Sequence, residues 1–221
     1  MLPKSTLQFF HPTPKKFDYR DFEQNAVKAY DQRKRDVFLK QLILAAQRGS
    51  ANAAFLLANG YNGNHSEHQC ILLADTPLQL ASLHFLKANT ALAYRFYQLT
   101  YMYAYDNDLK LAIEACEGIA YLGYITEAIK RLKYLALEFQ VEAALEAIVE
   151  IYSPSINFLA EHLFKNLSSS EIKTVMHHAY QTLVEIIKNS EQEFADKALA
   201  ILKEHAPFIE FDEAAKLSLH F

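Results

Sequence analysis

From Asp21 onward, apolar residues recur three and four positions apart, with polar residues filling the intervals. That is the period of an α-helix presenting one face to a core. Phe22, Ala26, Ala29 and Tyr30 open the series. Phe38, Leu42, Ala45 and Ala46 continue it to Gly49, a residue suited to a helix C-terminus. A short helix is expected over 51–59, then a loop over 60–66. Thr76-Pro77 predicts a helix start, with a capping residue before a proline at the first helical position. Thr90 is expected to cap a helix reaching Tyr105, and Asp108 to cap one that stops at Gly123. Thr126 opens a helix to Glu138, and 140–152 forms another, closed by Ser153-Pro154.

The pattern continues with a helix over 155–166. Ser168 with Glu171, and Ser190 with Glu193, are spaced as capping boxes. They predict helices reaching Asn189 and His205. Pro207 is a break, and a short helix is expected over 211–219. No stretch shows the period of two expected of a strand. Residues 1–20 read as an extended arm, with Pro12 and Pro14 disfavouring helix. Residues 21–221 read as a single domain. The expected fold is all-α, about twelve helices joined by short links into stacked antiparallel pairs, a short α-solenoid.

One segment recurs. Residues 45–61 read AAQRGSANAAFLLANGY and residues 87–103 read KANTALAYRFYQLTYMY. At this offset Ala46 matches Ala88, Ala51 matches Ala93, Phe55 matches Tyr97, Leu57 matches Leu99 and Tyr61 matches Tyr103. A third copy, residues 136–152, reads ALEFQVEAALEAIVEIY. It sets Ala136 against Ala45, Ala144 against Ala53, Ile148 against Leu57 and Tyr152 against Tyr61. The pattern resembles the Sel-one-like repeat family, relatives of the tetratricopeptide repeats. Only the first copy keeps the family's turn glycine, as Gly49. The resemblance implies helix pairs whose small residues allow close approach, and a surface that holds a protein or peptide.

Composition narrows the classes. Gly is scarce, at 5 of 221, which argues against phosphate-cradling loops and glycine-punctuated hairpins. The net charge of −4 places nucleic-acid binding low. Residues 1–35 are an exception, with eight basic against four acidic residues, among them Arg33, Lys34 and Arg35. Either an arm lies on an acidic body or a basic ligand site is present. No apolar run of about 18 residues exists, so no membrane span is expected. Two cysteines and the absence of a signal-peptide pattern fit a cytoplasmic protein. Export by a signal-independent route stays open.

Several clusters could carry chemistry. His65, Glu67, His68 and Cys70 are spaced near metal-ligand spacing, but a closed site needs a further ligand. A polar loop with Cys70 packed inside is the simpler expectation, and no metal or cofactor is assigned. His177 and His178 are adjacent on a helix and diverge. Cys116 has the apolar setting of an inert thiol. Glu138, Glu142, Glu146 and Glu150 recur every four residues as one helical stripe, a solvated face or a contact for a basic segment. The helix over 90–105 carries Tyr94, Phe96, Tyr97, Tyr101, Tyr103 and Tyr105. Tyr97 and Tyr103 are expected inside. Tyr94, Tyr101 and Tyr105, with adjacent Arg95, form the expected aromatic contact set. Glu142, Glu146 and Glu150 would contribute polar contacts. The expected function is a non-catalytic adaptor or scaffold. The alternatives are an inhibitor or immunity protein for one cognate toxin or enzyme, and a small metal enzyme using His65, His68 and Cys70.

Overall fold

The computed structural model describes residues 18–66, 69–152 and 167–205. It is mostly helical. Its helices are α1 Arg20–Asp31, α2 Arg35–Gln47, α3 Ala51–Asn62, α4 Thr90–Ala104, α5 Leu109–Tyr121, α6 Ile125–Phe139, α7 Glu142–Tyr152, α8 Ser169–Asn189 and α9 Gln192–His205. That makes nine among the described residues, not twelve. The helices expected over 155–166 and 211–219, and most of the N-terminal arm, lie outside the described residues. The helix expected at Pro77 is absent. In its place, β1 Cys70–Leu73 pairs antiparallel with β2 Thr76–Gln79, and a 3-10 turn Leu80–Leu83 follows.

The hairpin is a correction with a clear physical cause. Ala74 and Asp75 both take positive φ, at 45° and 65°, the geometry of the tight turn that matches strand twist. Strand β1 does alternate, with Ile71 and Leu73 buried. Its outward residues are Cys70 and Leu72, the latter 55% exposed, so apolar residues fill the polar slots and hide the period. Pro77 sits opposite Leu72. In a two-residue hairpin the turn-closing pair is hydrogen-bonded and the next is not. The proline's missing N–H therefore takes nothing from the ladder.

Other boundaries shift less. Helix α3 runs through Gly60 to Asn62, so the loop starts at Gly63 rather than Gly60. Asn89, not Thr90, caps α4, its side chain accepting from Leu92 N–H at 3.1 Å. Asp108 caps α5 as expected, accepting from Leu111 N–H at 3.1 Å. Helix α6 begins at Ile125 with no side-chain cap from Thr126. The capping box of Ser168 and Glu171 is present. The second is not formed: the Ser190 hydroxyl is buried with no partner among the described residues.

Contacts divide the chain into two compact units, Met1–Gly123 and Tyr124–Phe221. The break falls at Gly123, whose φ of 94° turns the chain out of α5. In the first unit each helix from α1 to α5 packs on the next, and the hairpin lies against α3 and α1. Its core holds Leu42, Leu56, Leu57, Leu73, Leu78, Leu83, Tyr97, Tyr101 and Ile119. In the second unit α6 packs on α7 and α8, and α9 packs on α7 and α8. Its core holds Ile129, Leu132, Leu145, Ile148, Leu183 and Ile186.

The repeated segments fall into two kinds. In the first and third copies, a helix end, a turn and a new helix coincide. Ala45 and Ala136, Ala53 and Ala144, Leu57 and Ile148 are all fully buried. Gly49 has φ 111°, and its counterpart Gln140 also takes a left-handed φ, 52°. The third copy thus keeps the turn without the glycine. The second copy differs, since residues 87–89 are not helical and the remainder is α4 alone. The matched residues Phe55 and Tyr97 face each other across the α3–α4 interface, ring centroids 6.1 Å apart.

Candidate functional site

The expected tyrosine set does not form an outward patch. Helix α4 packs on both α3 and α5, so the positions buried at Ala93, Tyr97, Thr100, Tyr101 and Ala104 face its neighbours. Tyr101 is 0% exposed and stacks on Tyr105 at 6.0 Å. Tyr94 is half-buried and accepts a hydrogen bond from Gln98 Nε2 at 2.8 Å. Tyr105 is also half-buried, and Arg95 is exposed. Tyr97 is in the core as expected, but Tyr103 is only half-buried.

The glutamate stripe is also broken. Gln140 reverses the chain, placing Glu138 on α6 and Glu142, Glu146 and Glu150 on α7. Glu142 accepts an ion pair from Lys197 of α9 at 3.1 Å. Glu146 is exposed and Glu150 half-buried. The tyrosines and these glutamates belong to different units.

Of the cluster over 65–70, Glu67 and His68 lie outside the described residues. His65 is half-buried, its Nδ1 shielded with no partner among the described residues. Cys70 is exposed rather than packed inside, because it opens β1 on the strand's outward face. Among the described residues no three His, Cys, Asp or Glu side chains are placed to hold a metal ion. Cys116 is fully buried, as expected. His177 is exposed, and His178 is half-buried with its pKa lowered, chiefly by burial.

A site missing from the expected set lies in the first unit. A cleft of about 310 Å³ opens between the α1–α2 turn and the segment leaving the hairpin. Tyr30 and Phe38 form its apolar floor, rings 5.6 Å apart. Arg33, Lys34 and Arg35 line one side, and Gln79, Ser82 and His84 the other. Arg35 is held over the ring of Phe85, 5.6 Å from its centroid. The Ser82 hydroxyl is shielded from solvent and has no hydrogen-bond partner among the described residues. His84 Nδ1 lies 2.8 Å from Ala81 O. A carbonyl only accepts, so Nδ1 carries the proton and Nε2 is left as an acceptor when the ring is neutral.

The local backbone explains how three cations come together. Arg33 closes α1, with Lys34 N–H donating to Ala29 O at 2.9 Å and Arg33 N–H to Tyr30 O at 2.9 Å. This is a helix-closing turn in which glycine is the usual left-handed residue, yet Arg33 adopts φ 55°. Lys34 stands at the N-cap of α2 without a side-chain cap bond, and Arg35 is the first helical residue. The one signal in the sequence was this basic run, directly before a helix with no capping residue.

Elsewhere on α1, Glu23 ties the helix to the remainder of the unit. Its carboxylate is 6% exposed and accepts from the Ser50 hydroxyl at 2.5 Å. The Ser50 oxygen accepts from Ala53 N–H at 3.0 Å, starting α3. Ala74 N–H in the hairpin turn also bonds the carboxylate. Burial nevertheless pushes the Glu23 carboxyl above its ordinary range.

Comparisons with family models, with curated proteins and with solved structures return no match to this chain. No described helix is long and apolar enough to cross a membrane.

Proposed function

We propose that this protein is a non-catalytic protein-interaction module that seats part of a protein or peptide partner in the cleft beside the α1–α2 turn. The observation that carries the reading is the set Arg33, Lys34 and Arg35 around an apolar floor, with no carboxylate within ion-pair distance among the described residues. Concave sites with apolar linings and a few convergent polar groups are the usual form of a recognition site. Val37, 45% exposed, stands one helical turn from Lys34 and next to Phe38 in the chain.

The architecture supports the same reading. Copies one and three share a buried small-residue pattern and a left-handed turn, at Gly49 and Gln140. That is in keeping with stacked helix pairs of the Sel-one-like kind, a solenoid that binds on its surface. A reducing cytoplasm fits the two free thiols.

The test is photo-crosslinking in the native cell. A crosslinker placed at Val37 is expected to trap one stoichiometric protein. That product should vanish in Lys34→Glu/Arg35→Glu. A crosslinking pattern indifferent to the charge reversal, or none at Val37, would sink the reading.

A further inference from the structure

We infer that the segment received by the cleft is acidic, its carboxylate groups held by Arg33, Lys34 and Arg35 and one apolar side chain set on Tyr30 and Phe38. The inference rests on the interaction-module reading and specifies the partner's chemistry.

Three observations converge. The first is charge. Three consecutive cations line the cleft and no acidic side chain does, among the described residues. Residues 1–17 of the chain carry Lys4, Lys15 and Lys16 and no Asp or Glu, so they are no complement to it.

The second is local cost. The N-terminus of a helix carries partial positive charge and favours anions, and capping there favours Ser, Thr, Asp or Asn. Lys34 opposes both preferences at the N-cap of α2, Arg35 opposes the first at the next position although Asp36 beside it meets that preference, and Arg33 occupies a left-handed position that favours glycine. Three adjacent residues each break a local rule, and all three line one cleft. Local rules are broken in this way where a function needs the residues. An incoming anion would reverse the sign of the effect, meeting the three side chains and the free N–H groups of the first turn together.

The third is size. The volume of about 310 Å³ suits one large side chain and a few charged groups.

The experiment measures binding of labelled peptides to the full chain by fluorescence anisotropy. Three peptides share one phenylalanine anchor, flanked by glutamates, by phosphoserines or by glutamines. Anionic peptides are expected to bind at least about tenfold more tightly than the glutamine peptide, with an affinity that falls as salt rises. Glutamates alone should suffice, and binding of the phosphoserine peptide without binding of the glutamate peptide would overturn the carboxylate assignment. Lys34→Glu/Arg35→Glu should lose that preference and bind a lysine-flanked version instead. These substitutions put negative charge at a helix N-terminus, so α2 is kept. Arg33→Gly is the second variant. It suits the left-handed turn, so it should melt higher while binding the anionic peptides more weakly, a pairing that damage to the fold cannot produce. Equal binding of all three peptides, or anion preference unchanged in both variants, overturns the inference. If a partner still crosslinks at Val37 in that case, the interaction module stands and only its anionic character falls.

Discussion

The hydroxyl of Tyr97 on α4 donates a 2.7 Å hydrogen bond to Asn59 Oδ1 on α3, between two side chains that are 2% and 4% exposed. Removing one partner of a buried pair leaves the other unsatisfied. Tyr97→Phe is therefore expected to destabilise the first unit by about 1–3 kcal/mol, although the ring keeps its packing. Chemical denaturation followed by circular dichroism reads the change. A cost near zero would mean that water reaches Asn59.

The same ring explains a glycine in the middle of α5. A Cβ at Gly118 would meet Tyr97 Cε1 and Cζ at 2.4 Å. Glycine-to-alanine in a helix interior ordinarily gains about 1 kcal/mol. Here the sign should reverse, with a net loss of about 1–3 kcal/mol from overpacking. The melting temperature of Gly118→Ala decides it. In Gly118→Ala/Tyr97→Leu, the alanine should cost less than it does alone.

Glu23 gives a dependence on pH. Its folded pKa is raised by burial, so between the unfolded and folded values the native state holds more protons than the unfolded state. Its contribution is therefore fully present below the ordinary glutamate range and is lost as pH rises through the folded pKa. Glu23→Gln cannot titrate. Wild type minus Glu23→Gln, measured as unfolding free energy against pH, should fall with rising pH across that window. A flat difference would show that Ser50 and Ala74 offset the burial.

Gln140 and Gly49 close equivalent turns in two copies of the repeat, and only one is glycine. Gln140→Gly should stabilise the second unit by about 0.5–1 kcal/mol by relieving a left-handed side chain. Gly49→Gln should destabilise the first unit by more. Its φ of 111° lies further from the left-handed well than the 52° of Gln140. A Cβ there would meet Tyr103 only at ordinary contact distance, 3.6 Å, so the cost is conformational. Parallel denaturation of the two variants checks both signs.

Helix positions were legible because most helices here have one buried face and signalled ends. Asp108 and Ser168 cap where their spacing indicates, and Gly49 and Gly123 stop helices as they should. The hairpin was not legible. Its turn is Ala74-Asp75 rather than a glycine-bearing pair, and Leu72 occupies the solvent side of β1. The burial of Tyr101 was not legible because spacing identifies residues that share a face, not what covers it. Tyr101 and Tyr97 are one turn apart and both lie inside because α4 has packed neighbours on two sides. The cleft was legible only in its basic run, for another reason. Its cations come from one turn and its opposite wall from Gln79, Ser82 and His84, more than forty residues later, and no local period joins them.

The hairpin also makes a built-in reporter. Cys70 is exposed and pairs across the strands with Gln79, which lines the cleft, whereas Cys116 is sealed in α5. A thiol-reactive fluorophore added to the native protein would therefore modify one site quickly, beside the cleft. The second thiol would be reached only when α5 opens. Occupancy and unfolding become two separate optical signals from a chain in which no residue has been changed.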